Sequence, residues 1–273
     1  MIVDLAAYFA RIGYGGPVEP TLPTLNAIVQ AHVQSIPFEN LDVLAGRPID
    51  LSPAALERKL VQARRGGYCF EQNGLLLLVL QAIGFDVAPL SARVRYGRPG
   101  GMIPPRTHLF LRVEIDGASW LADVGVGGLS MSSAIRLDEP AEQATPHEPR
   151  RIAREGPLRL HQVRFGADWH DVYEFTLEQM PSIDRELANW YTSAHPQSDF
   201  RNHLVVALAL PGGRRKTLLN REFTERTRDG TADGRLIATP EELRMVLVED
   251  FGLKVDPHDP LTCAGLDWPQ AST

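Results

Sequence analysis

Arg64-Arg65-Gly66-Gly67-Tyr68-Cys69-Phe70-Glu71-Gln72-Asn73-Gly74, running straight into Leu75-Leu76-Leu77-Leu78-Val79-Leu80, is the stretch that organises the chain. The two glycines predict a tight, bare turn, and the apolar run predicts a buried helix that begins near Cys69 and stops around Gly84. A cysteine at a helix start sits among free N–H groups and partial positive charge, which favour a thiolate nucleophile. Free cysteine is also among the most buried residue types. Taken alone, Cys69 reads equally as a nucleophile or as a small core residue.

The segments before it are helical. Leu5, Tyr8, Phe9 and Ile12 recur at helical spacing after Asp4, a good N-cap, and Gly13 stops them. Leu25, Ile28, Val29, His32, Val33 and Ile36 repeat the pattern from Thr24 to Pro37. Ser52-Pro53 opens a third helix with Leu56, Leu60 and Val61. The apolar helix has no polar face, so the other three are expected to surround it.

After Phe85 the period changes to alternation. Ala92, Val94 and Tyr96 form one strand; Leu109, Leu111, Val113 and Ile115 form another, ending at the hairpin signal Asp116-Gly117, and Trp120 to Val124 returns. Strands are also expected at Leu158 to Arg164 and Val172 to Leu177, which makes the middle a small antiparallel barrel or curled sheet. The last third is mixed: a helix over Asp184 to Ala194, strands at His203 to Leu210 and Lys216 to Arg221, and a helix from Thr239-Pro240 to Gly252. Asp138 to Pro149 is the most linker-like piece, with a long loop as the alternative. The fold class is α+β: a helical domain (1–85) carrying the cysteine, a β-barrel domain (86–195) and an α/β lid (196–273).

A chain of 273 residues with 44% hydrophobic and 23% charged residues has the composition of a folded globular protein. The net charge of −6 argues against a nucleic-acid partner, which calls for a basic face. No run reaches membrane-spanning length, and Met1 to Arg11 lacks the pattern of a signal peptide. Cys69 and Cys263 are the only cysteines, too few for a disulfide framework or a cysteine-rich zinc site. The expected location is the cytoplasm, with no metal and no membrane partner; oligomeric state is not legible.

A thiolate catalyst needs a base, and the base needs an orienting acceptor. Among eight histidines, His32 reads as a packing residue on an apolar helix face, and His147, His161, His170 and His258 read as surface groups. His195 and His203, beside an aromatic, Ser-rich loop, are weak candidates for substrate contact. His108 opens the strand leading to Asp116-Gly117, and the returning strand ends at Asp123 before Gly125-Val126-Gly127-Gly128. With a two-residue turn, Ile115 pairs with Ala118 and Phe110 falls opposite Asp123. His108 is then a diagonal neighbour on the same face, roughly 7–8 Å away at the backbone and within side-chain reach. Alone, Asp123 is a strand-end acid and His108 a polar strand start. Together with Cys69 they define a nucleophile, a general base and the acceptor that orients it, with helix-start N–H groups available to a developing oxyanion.

The Arg64 to Glu71 motif, the upstream Ile36-Pro37-Phe38-Glu39-Asn40-Leu41-Asp42-Val43, Arg106-Thr107-His108 and Asp123-Val124-Gly125 together resemble the arylamine N-acetyltransferases. The similarity runs from Asp4-Leu5 to Asn189-Trp190-Tyr191 and fades beyond about Phe200. It implies a helical domain, a β-barrel and an α/β lid with a transglutaminase- or papain-like Cys-His-Asp arrangement. It also implies ping-pong transfer of acetyl from acetyl-CoA, through acetylated Cys69, to an arylamine, arylhydroxylamine or hydrazine, in the chemistry of xenobiotic metabolism. Acetyl-CoA is then a substrate, and no cofactor is tightly bound. A related amide synthase or a thiol hydrolase would use the same triad.

Phe38, Phe70, Thr107 and Val126 are candidates to line the substrate pocket, with core packing as the alternative. Thr107, Gly125, Gly127 and Gly128 are candidates for CoA contact, and Arg214-Arg215-Lys216 is the densest basic cluster. Glu39 and Arg64 read as an ion pair locking the helical domain under Cys69. The family usually has an aromatic residue after Asp-Val-Gly, where this chain has Val126. Loss of a ring there widens the acceptor pocket and removes a stacking surface.

Overall fold

Four leucines and a valine in succession leave no polar face, and the helix that carries them is enclosed. In the computed structural model, which describes residues 3–259 and 261–268, every residue from Cys69 to Leu77 is buried. The segments leading to it are α1 (Leu5–Ile12), α2 (Leu22–Ser35), a two-residue strand β1 (Phe38–Glu39), α3 (Leu41–Leu44) and α4 (Pro53–Leu56). α4 widens into a π-turn over Glu57–Gln62, and α5 (Cys69–Ile83) follows. Asp4 caps α1 by accepting from the Ala7 N–H, and Gly13 closes it at φ 67°. α2 starts earlier than the apolar pattern predicts, because the Thr21 hydroxyl rather than Thr24 caps it and Pro23 fits its first turn.

Seven strands follow in the middle of the chain: β2 (Asp86–Val94), β3 (His108–Ile115), β4 (Ala118–Ala122), β5 (Ile135–Arg136), β6 (Arg150–Glu155), β7 (Leu158–Phe165) and β8 (Asp168–Gln179). They form one antiparallel sheet in the order β5-β4-β3-β2-β8-β7-β6, curled into a nearly closed barrel. α5 is not surrounded by helices alone. Its apolar residues share one core with α1, α2 and residues of β3 and β4, so the sheet forms the fourth wall.

Then come α6 (Ser182–Ala194), α7 (Asp199–Asn202), β9 (Val205–Ala209), β10 (Arg215–Leu219), β11 (Glu222–Arg226), β12 (Ala232–Leu236) and α8 (Pro240–Glu249). The last four strands form a second antiparallel sheet, whose outer edge is β1 from the helical segment: Phe38 pairs with Ala207 and Glu39 with Val206. Glu39 accepts hydrogen bonds from Arg65, whose guanidinium also reaches Asp42. The expected Glu39 to Arg64 pair is therefore displaced by one residue. Arg64 takes up positive φ (53°) in the turn, which rotates its side chain away and leaves Arg65 facing the acid.

Asp138 to Pro149 is not a linker. Thr145, His147 and Glu148 are buried, and Glu148 receives a two-pronged pair from Arg215 at 2.8 Å on each oxygen. The three cations of the basic cluster are all engaged: Arg214 with Glu225, Arg215 with Glu148, and Lys216 with Asp250. His147 and His161 are fully buried, not surface groups. Sequence reading missed them because the groups that meet them are not their neighbours in sequence: Ser132 and the Arg214 carbonyl for His147, Arg150 and Tyr173 for His161.

Candidate active site

Gly66 and Gly67 serve packing more than access to the thiol. A Cβ on Gly66 would lie 2.1 Å from the Pro37 carbonyl oxygen, and one on Gly67 would lie 2.6 Å from Glu71 Oε2. The close approach lets the Glu71 carboxylate accept from the Tyr68 N–H at 3.0 Å, satisfying a donor just ahead of the helix. Its other oxygen takes the Lys59 ammonium at 2.6 Å, and Lys59 also holds Asp42 at 2.7 Å. Burial pushes the Glu71 carboxyl up, against the pull of Lys59. The start of α5 is thus pinned by a chain of buried charges, with Cys69 as its first residue.

The hairpin supplies the other two groups. Asp116 and Gly117 both have positive φ (51° and 75°), the backbone that a two-residue turn between twisted strands requires. The ladder runs from Ile115↔Ala118 to Leu111↔Ala122, so the next step puts Phe110 opposite Asp123 and His108 on the Asp123 side. His108 Nε2 is 2.7 Å from Asp123 Oδ2, and both side chains are almost wholly buried. Burial alone would push the imidazole down. The charge and hydrogen bond of Asp123, reinforced by Cys69, push it well above its ordinary value. Asp123 moves the opposite way: burial raises it, and His108, Asn73 and the Gly125 N–H together hold it below the usual carboxylate range. With Nε2 engaged by Asp123, Nδ1 is the nitrogen left for the thiol. Cys69 is 3% exposed, and its Sγ lies 3.6 Å from the Thr107 carbonyl oxygen.

Asn73 is a residue of this site that sequence reading missed. One turn beyond Cys69, its amide donates to Asp123 Oδ1 at 2.8 Å and to the Leu109 carbonyl at 2.7 Å, while its oxygen accepts from the Val124 N–H at 3.0 Å. The signal was the four-residue spacing from Cys69, which puts both on one helix face. Tyr173 of β8 was missed as well; its ring is 5.0 Å from that of His108.

The remaining candidates divide. Phe38 and Phe70 belong to the apolar cluster around Cys69, together with Leu109 and Met180. Thr107 lies where two clefts meet, one lined by Val94, Arg98, Pro104 and Phe200, the other by Arg106, Met180, Leu187 and Ala188. Val126 is half-buried and touches the barrel core. Gly125 is in tight contact, since a Cβ there would lie 2.8 Å from Cys69 Cα. Gly127 has positive φ beside Phe38, and Gly128 faces Thr217 of β10. His195 stacks on Tyr191, and His203 meets Asn220 in the turn between β10 and β11.

This fold, with Cys69, His108 and Asp123 buried together at one place, matches a class of acyltransferases. The sequence pattern of the N-acetyltransferase family matches residues 21–259. An arylamine N-acetyltransferase of Mycolicibacterium smegmatis is 47% identical over 78% of this chain and 79% of its own. That of Escherichia coli K12 is 41% identical over 91% and 88%. The solved structure of the Mycobacterium marinum arylamine N-acetyltransferase in complex with CoA superposes with a TM-score of 0.88 at 37% identity, covering 92% of this chain and 93% of that one. The chain belongs to the arylamine N-acetyltransferase family. The likeness does not fade at Phe200; it continues through the second sheet.

Proposed function

We propose that the protein transfers an acetyl group from acetyl-CoA to the nitrogen of an arylamine, arylhydroxylamine or hydrazine, with Cys69 as the carrier. The observation that carries this reading is the buried 2.7 Å contact between His108 and Asp123 beside a cysteine at a helix N-terminus. An imidazolium held by a carboxylate is the counter-ion a thiolate nucleophile needs. The Cys69 thiolate attacks the carbonyl carbon of the acetyl thioester; the carbon to CoA-sulfur bond breaks, and the His108 proton passes to the departing CoA thiolate. The neutral imidazole then takes a proton from the incoming amine as its nitrogen attacks acetyl-Cys69, and the thiolate leaves to restore the starting pair. N–H groups at the start of α5, including that of Cys69, would hold the oxyanion of both steps. The CoA bound by the Mycobacterium marinum relative supports the choice of donor.

Phe38, Phe70, Thr107 and Val126 would line the path of the acyl group and the amine, and Thr107 with the Gly125, Gly127 and Gly128 backbone would meet the donor. Residues 1–85, 86–195 and 196–273 would act as helical, barrel and lid units of a cytoplasmic enzyme. Among the described residues, no helix is long and apolar enough to cross a membrane. The test is intact mass after incubation with acetyl-CoA. An acetyl adduct on Cys69 that an arylamine or hydrazine discharges is expected, lost in Cys69→Ala and kept in Cys263→Ala. No adduct, or discharge to water alone, would refute the reading in favour of a hydrolase.

A further inference from the structure

The outer flank of the nucleophile helix carries a second cavity, of about 460 Å³, which falls within the range of small-molecule sites. Its walls are aliphatic and aromatic: Leu51 and Leu56 on one side, Phe70, Leu77 and Leu78 of α5 on the other. α6 closes it with Arg185 and Asn189. Phe70 is the residue after Cys69. Asn189 accepts from the buried Tyr68 hydroxyl and donates to the Ile49 carbonyl at 3.0 Å, so the cavity backs directly onto the segment that carries the thiol.

Arg185 is the anomaly in this lining. Among the described residues its side chain makes no ion pair and no hydrogen bond, and its Nε is sealed from water with no partner. Burial works against its charge, and the neighbouring Glu186 offsets that only in part. The two carboxylates at the rim are differently placed. Asp50 and Glu186 are exposed and solvated, and Asp50 already accepts from the Ser52 N–H at 2.8 Å. The group that lacks compensation is therefore the cation. A guanidinium beside an apolar hollow recognises a carboxylate in a forked, charge-assisted pair while the walls take an apolar body.

We propose that this cavity is a second binding site, separate from the thiol, for a small monoanionic carboxylate with an aryl or branched alkyl body. Benzoate is the probe, titrated by calorimetry into the untreated protein and into protein whose Cys69 has been alkylated with iodoacetamide. Benzamide and benzylammonium are the controls. One benzoate per chain is expected in both preparations, with benzamide and benzylammonium at least tenfold weaker. Arg185→Gln is expected to weaken benzoate at least tenfold, and Leu78→Trp, which fills the hollow, to abolish it. Both variants are checked for wild-type circular dichroism. Absence of benzoate binding, equal binding of benzamide, tighter binding of benzylammonium or an unchanged Arg185→Gln would overturn the proposal. Loss of binding on Cys69 alkylation would overturn it too, because the anion would then occupy the thiol site.

Discussion

Asn73 ties three segments together from a single side chain: α5, which holds Cys69; β3, through Leu109; and the end of the hairpin, through Asp123 and Val124. Asn73→Ala strands a buried carbonyl and a buried N–H and removes a hydrogen bond from Asp123. A loss of about 1–3 kcal/mol in denaturant unfolding is expected, together with slower Cys69 alkylation; unchanged alkylation would show that Asn73 supports the fold alone. His108 allows a prediction in pH. Its folded value is raised, so its contribution is complete below the ordinary imidazole range and is lost as pH climbs above it. Asp123 is lowered, so its contribution is lost as pH falls below the ordinary carboxylate range. The stability difference between wild type and His108→Gln should therefore be largest between about pH 4 and about pH 6.5 and shrink steadily above it. A difference that grows with alkalinity would contradict the pairing. At position 126, Val126→Phe restores the aromatic residue usual in the family; packed against the barrel core, the ring is expected to narrow the range of amines accepted in a panel of arylamines and hydrazines. Equal acceptor profiles for wild type and variant would count against a selectivity role.

At the scale of elements, the start of α5 depends on Glu71. The carboxylate caps the Tyr68 N–H and neutralises Lys59, both from a buried position. Glu71→Ala leaves Lys59 with only Asp42 and opens the first turn beside the thiol. Breaking a buried pair from one side costs about 3–5 kcal/mol, so a drop of that order in urea unfolding is expected. A change under about 1 kcal/mol, the scale of an exposed pair, would mean that Asp42 and Arg65 alone hold the turn.

At the scale of the molecule, Glu148 joins the barrel to the second sheet. It lies between Arg215 and Arg226 of that sheet and Arg150 of β6, and those arginines hold its carboxyl far below the usual range despite burial. Burial, with Arg215 adding to it, pushes the adjacent His147 down to about 4, so it stays neutral beside them. Glu148→Gln leaves the cations uncompensated, and a loss of about 3–5 kcal/mol is expected. Scanning calorimetry checks it: the second sheet should come away first, and a single unshifted transition would show that apolar packing alone seals the interface.

Much of the site was legible because its signals are local. A double glycine before an apolar run marks a helix start, Asp116-Gly117 sets a two-residue turn, and strand alternation then places His108 and Asp123 on one face. Each of these follows from backbone geometry that only a few residue types satisfy. What failed was pairing at a distance. Arg65 rather than Arg64 meets Glu39 because one residue in the turn takes positive φ; β1 pairs with β9 across more than half the chain; and His147 is buried against Ser132 and the Arg214 carbonyl, His161 against Arg150 and Tyr173. The chain by itself determined which residues could do the chemistry, since spacing and turn type are properties of neighbours along the backbone. Only the tertiary structure decided how Asn73 fixes Asp123, which cations are neutralised and where a cavity opens behind Phe70, because burial and charge compensation depend on residues the sequence does not place side by side.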